Sequence, residues 1–120
     1  MKSITDIAQL IEMAQKSSNQ TMLFELANNP NKDVRYQVAR NVNINHATFE
    51  LLMKDPDNSV RYSLCHNKSA PKTVIATLYK DDNWIVKYAA ISHMLTFYTL
   101  VTSEKARLSD ELMTLIIANL

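Results

Sequence analysis

The sequence predicts an all-α fold built as an array of short helix pairs, and three observations carry that prediction. Val34-Arg35-Tyr36, Val60-Arg61-Tyr62 and Val86-Lys87-Tyr88 recur at a constant period of 26, and self-similarity at such a period marks a helical repeat array. Within each period the apolar residues fall at i, i+3 and i+4, the spacing of one helix face. Glycine is absent from the 120 residues, although an average domain draws roughly 7% of its residues from it. Eleven asparagines take over its work. Asn41 and Asn67 sit at expected helix ends, where asparagine tolerates the left-handed conformation that terminates a helix.

The elements follow in order. Residues 1–20 read as an N-terminal capping helix, with Ile4, Ile7, Ala8, Ile11 and Ala14 at helical spacing behind Ser3 as N-cap and Asp6 in the first turn. Residues 21–98 divide without gaps into units 21–46, 47–72 and 73–98. The first helix of each unit buries the columns Leu23/Phe49/Ile75, Leu26/Leu52/Leu78 and Ala27/Met53/Tyr79. Asn29-Pro30-Asn31, Asp55-Pro56-Asp57 and Asp81-Asp82-Asn83 then break that helix and cap the next. The second helix buries Val34/Val60/Val86, Val38/Leu64/Ala90 and Ala39/Cys65/Ile91. Residues 99–120 read as a connector, Ser103 to Leu108, and a C-terminal capping helix from Ser109 whose stripe is Leu112, Leu115 and Ile116. Terminal units of arrays are atypical because one side faces water. The whole is one domain, long enough to bury roughly 65% of its unfolded surface.

Leu26-Ala27, Val34-Arg35, Val38-Ala39 and Asn41, repeated as Leu52, Asp55-Pro56-Asp57, Val60-Arg61, Asn67 and Pro71, resemble the leucine-rich repeat variant family, kin of HEAT-like helical repeats. The likeness spans about residues 21–95. It implies a right-handed superhelix of paired short helices, an α-solenoid, in which one helix per unit can be 3₁₀. The iron–sulfur cluster associated with founding members needs a cysteine-rich segment, and this chain has one cysteine, so that function does not carry over.

Composition narrows the function. Thirteen basic and twelve acidic residues leave a net charge of +1, which gives no bulk field to favour nucleic acid or an anionic membrane. No apolar run reaches the ~20 residues that span a bilayer. The single Cys65 and an N-terminus without a long apolar core point to a reducing, cytoplasmic setting. His46, Cys65, His66 and His93 do not converge as metal ligands, because Cys65 falls in a core column and the histidines should face solvent. No phosphate loop, metal motif or nucleophile–base set appears. Glu50 is a lone acid, and Asp55 and Asp57 belong to a turn. The expectation is a non-enzymatic protein without cofactor or metal.

The repeated tripeptide carries the candidate residues. Arg35, Arg61 and Lys87 lie beside the core, and the column of Asn29, Asp55 and Asp81 offers two carboxylates at the repeat spacing, so a structural ladder locking unit to unit is expected. Tyr36, Tyr62 and Tyr88 turn away from the buried arc, with Arg40 and His66 one turn on, and form either an exposed stripe or rings packed on the neighbouring unit or its connector. Trp84 stands at a turn where the earlier units carry Lys32 and Asn58, either as a rim anchor or packed on Phe97 and Tyr98. Tyrosine, tryptophan and arginine are enriched in protein-binding hot spots. The expected partner-binding face is therefore Tyr36, Arg40, Tyr62, His66, Trp84 and Tyr88, serving an adaptor, scaffold or inhibitor. The alternatives are a nucleic-acid-binding array, in which the tyrosines stack bases, and a structural subunit that forms a homodimer through its apolar C-terminal helix.

Overall fold

Polar residues at fixed places cut the chain into short helices. In the computed structural model, which describes residues 4–101, 115 and 117–119, the elements are α1 (Ile4–Lys16), α2 (Gln20–Ala27), α3 (Lys32–Arg40), α4 (His46–Leu52), α5 (Asn58–Cys65), α6 (Lys72–Leu78) and α7 (Trp84–Val101). All of these are α-helices, and the described residues include no strand. The 3₁₀ helix allowed by the family resemblance is not found among them.

Most helix starts carry a side-chain cap. Asn19 and Asn45, equivalent positions one period apart, accept the Met22 and Thr48 amides at 2.9 and 3.1 Å. Asn31, Asp57 and Asn83 do the same for α3, α5 and α7, accepting from Asp33, Ser59 and Ile85 at 2.8–2.9 Å. Such a cap satisfies an otherwise orphaned helix N–H and contributes about 1 kcal/mol. At α6 the cap position is Pro71, which has no side-chain acceptor, and its fixed φ suits a chain entering a helix.

The helix ends depart from expectation. Asn41 has φ −78° and ψ 122°, extended rather than left-handed. Its side chain stops the helix another way, with Oδ1 accepting the Asn43 amide at 2.7 Å in an Asx turn. Asn67 repeats this with the Ser69 amide at 2.9 Å. In the third unit His93 stands in that column, lacks a carbonyl oxygen, and α7 runs on to Val101. The helix thus passes the expected unit end at 98.

Packing runs along two rows. α3 packs on α1 and α5, and α5 on α7, while α2 packs on α4 and each row closes on the other through α2–α3, α4–α5 and α6–α7. One continuous core results, with Leu23, Val34, Val38, Phe49, Leu52, Val60, Leu64, Ile75, Leu78 and Val86 essentially inaccessible. Burial of each such side chain contributes about 1.5–3 kcal/mol. Of the α1 stripe, Ala14 is buried and Leu10, Ile11 and Met13 pack against the core, but Ala8 is exposed. Ser3, the connector 103–108, Leu112 and Ile116 lie outside the described residues. So do the side chains of Phe97 and Tyr98, and with them the packing considered for Trp84.

Candidate functional site

The site sits on α3, α5 and α7, and two sets of cross-helix bonds hold those helices in place beneath it. In the first, Arg35 Nε and Nη2 donate to Asp55 at 2.7 and 3.2 Å, and Arg61 Nε and Nη2 donate to Asp81 at the same distances. The pairs are bidentate and largely dehydrated, with side chains 14% and 4% exposed in the first. Nη1 of each arginine donates to the preceding turn, Arg35 to the Asn29 and Pro30 carbonyls and Arg61 to the Asp55 carbonyl. The same carboxylates accept the Asp57 and Asn83 amides, so each aspartate closes its own turn and grips the preceding unit. The Asp81 carboxylate raises the Arg61 pKa above its ordinary value.

The series stops at both ends for visible reasons. Gln9 stands where an arginine would precede Arg35 by one period, so Asn29 needs no charge and its side chain accepts the Asn31 amide. Lys87, counted at sequence level in the ladder, has no carboxylate within ion-pair distance among the described residues. It is half-buried and no third rung forms there.

The second set had no place in the sequence reading. Asn41 Nδ2 donates to the Ala14 and Ser17 carbonyls at 2.8 and 2.9 Å. Asn67 Nδ2 donates to the Ala39 and Asn41 carbonyls at 2.8 and 3.0 Å. His93 Nδ1 lies 2.8 Å from the Cys65 carbonyl, and since a carbonyl can only accept, Nδ1 carries the proton. His93 is thus half-buried and bonded, not solvent-facing, because it substitutes for the asparagine of the earlier units. The available signal was a polar column, Asn41, Asn67 and His93, recurring with the repeat close to the buried one.

Above this frame the tyrosines differ. Tyr36 is half-buried and packs on the core, whereas Tyr62 is 37% and Tyr88 60% exposed. Uniform exposure of the three fails at Tyr36. The Arg40 guanidinium lies 5.9 Å from the Tyr36 ring centre, within cation–π range, and the His66 ring is tilted 57° to that of Tyr62 at 4.7 Å. Tyr36, Arg40, Tyr62 and His66 line one groove of about 500 Å³, together with Val42 and Lys68. Val42 and Lys68 went unrecognised because they lie in the loops past the helix ends. A neighbouring groove of about 520 Å³ shares His66 and Lys68 and continues to Ser92, His93 and Thr96. Tyr88 and Trp84 line neither. With Ile85 they form a separate exposed patch on the first turns of α7, Trp84 being 72% exposed.

Two further sets of titratable groups are placed among the described residues. Burial, helped by the Asp81 charge, pushes the Cys65 thiol up to about 12, so it stays a protonated core group. His46 and Glu50 are exposed and 3.2 Å apart, one helical turn from each other, which gives Glu50 a partner. Among the described residues no three of histidine, cysteine, aspartate or glutamate are placed to hold a metal ion, and no helix is long and apolar enough to cross a membrane. Compared with known proteins, the chain matches no family model, no curated protein and no solved structure.

Proposed function

We propose that this chain is a short right-handed α-solenoid of the HEAT-like, leucine-rich repeat variant kind, and that it works in the cytoplasm as a non-enzymatic protein-binding module, an adaptor, scaffold or inhibitor. The array reading is supported by caps, Asx turns and Arg–Asp pairs that recur at equivalent positions of successive units. The observation that carries the function is the groove between α3 and α5, where Tyr36, Arg40, Tyr62 and His66 meet. Arg40 lies against the Tyr36 ring and His66 against that of Tyr62, while Arg40, Tyr62 and His66 stay exposed. Rigid aromatics and arginine lose little conformational freedom on binding and supply most hot-spot energy. Tyr88 and Trp84 offer a second, separate aromatic patch on the first turns of α7.

The test is retention from the native lysate by immobilised protein, wild type against Tyr62→Ala/Tyr88→Ala. A stoichiometric partner held by the first and lost from the second, with both melting within about 2 °C, supports the reading. An unchanged retained set contradicts it. Tyr36 is left intact because it packs on the core.

A second reading, self-association through the C-terminal helix, is favoured by the exposure of Leu115 and Ile117. Sedimentation decides it: a dimer in the wild type that Leu115→Lys converts to monomer supports it, and a monomeric wild type removes it.

A further inference from the structure

The two grooves of the α3–α5–α7 side carry charge of one sign. Arg40 and Lys68 line them with His66 and His93, and no carboxylate does. The groove-lining acids sit on the other edge, mixed with cations: Asp55, Asp81 and Asp82 beside Lys54, Arg61 and Lys80 in one groove, and Glu50 and Asp55 beside Arg35 and Lys54 in another. Lys16 is paired with Glu12, Lys32 with Asp57, Arg35 with Asp55 and Arg61 with Asp81. Arg40 and Lys68 have no such partner among the described residues.

We propose that the groove between α3 and α5 docks an extended acidic polypeptide segment, whose carboxylates meet Arg40 and Lys68 while the side chain between them packs on Tyr36 and Tyr62. This deepens the protein-binding reading and rests on it. Arg40 is preorganised, since the Tyr36 ring holds its guanidinium in place. The α3 carbonyls at Ala39 and Asn41, which would repel an anion at a helix C-terminus, are occupied by the Asn67 amide. Packed helices lie about 8–10 Å apart, which an extended chain in the polyproline II conformation, with three residues per turn and a rise of about 3.1 Å, covers in about three residues while returning to the same side. The segment therefore presents acids three positions apart with an apolar residue between. A groove with two cations suits a short peptide better than a nucleic acid, which needs a continuous basic track.

The test is fluorescence anisotropy of the full chain with a roughly ten-residue extended peptide carrying glutamates three apart around a leucine, at about 50 mM salt. The glutamate peptide should bind at least about tenfold more tightly than its glutamine counterpart. Arg40→Gln and Lys68→Gln should each weaken it about threefold or more, while Lys80→Gln, on the other edge, leaves it unchanged. Equal binding of both peptides that is still lost in Tyr62→Ala overturns the acidic specificity and leaves the protein-binding reading standing. Binding of neither peptide overturns the proposal, and the protein-binding reading then answers to the lysate experiment alone. Tighter binding of an oligothymidylate of equal charge also overturns it and assigns the groove to nucleic acid.

Discussion

Thr48 is the residue at which this molecule forgoes stability. It is fully buried and its hydroxyl has no hydrogen-bond partner among the described residues, while the next unit has Val74 in the same column. An orphaned buried hydroxyl costs about 1–3 kcal/mol. Thr48→Val, which keeps the shape, should raise the melting temperature by about 3–5 °C, read by circular dichroism; a fall would mean the hydroxyl is satisfied in solution. Asp57 gives a second residue-scale prediction. The Ser59 side chain and amide, with Lys32 nearby, hold its carboxyl below the ordinary 3.8. A depressed carboxyl stabilises the fold above its unfolded value and loses that contribution as pH falls through the folded one. Asp57→Asn preserves the cap, as Asn31 and Asn83 do, and removes only the charge. The stability gap between wild type and Asp57→Asn should be open at pH 6 and close below about pH 4, measured by urea unfolding across pH. A gap independent of pH would contradict the assignment.

At the scale of elements, the Arg–Asp pairs and the asparagine braces tie α3, α5 and α7 together. Asp55→Ala strands Arg35 in a site where both groups are largely dehydrated and also frees the Asp57 amide. The loss should be about 3 kcal/mol in urea unfolding. Lys87→Ala, at the equivalent position without a carboxylate, should cost less than about 1 kcal/mol. Equal losses would mean that the pairs contribute no more than the half-buried Lys87, which has no carboxylate partner among the described residues. The starts of α3, α5 and α7 were legible from sequence because Asn31, Asp57 and Asn83 cap their immediate neighbours, whereas the Asn19, Asn45 and Pro71 starts of α2, α4 and α6 went unread. Helix ends were less legible. Asparagine can terminate a helix in the left-handed region or through an Asx turn, and only the tertiary acceptors at Ala14 and Ala39 favour the second choice at positions 41 and 67.

At the scale of the whole molecule, the 26-residue spacing lined residues up in sequence columns but did not say which neighbour each would bond. That is why the His93 contact with the Cys65 carbonyl lay hidden. Depth of burial was equally illegible: the period treats Tyr36, Tyr62 and Tyr88 alike, yet the first packs on the core and the last projects from it. The candidate face consequently divides into a groove at α3–α5 and an aromatic patch at the start of α7, and the groove alone combines cations with aromatic walls.

Photo-crosslinking in the native cell asks most directly whether that face meets a protein. A benzophenone amino acid placed at Tyr62 should give a discrete crosslinked partner, while the same group at Thr77, in a groove of the other edge, should give none. Crosslinks from Thr77 alone, or none from Tyr62, would contradict the account.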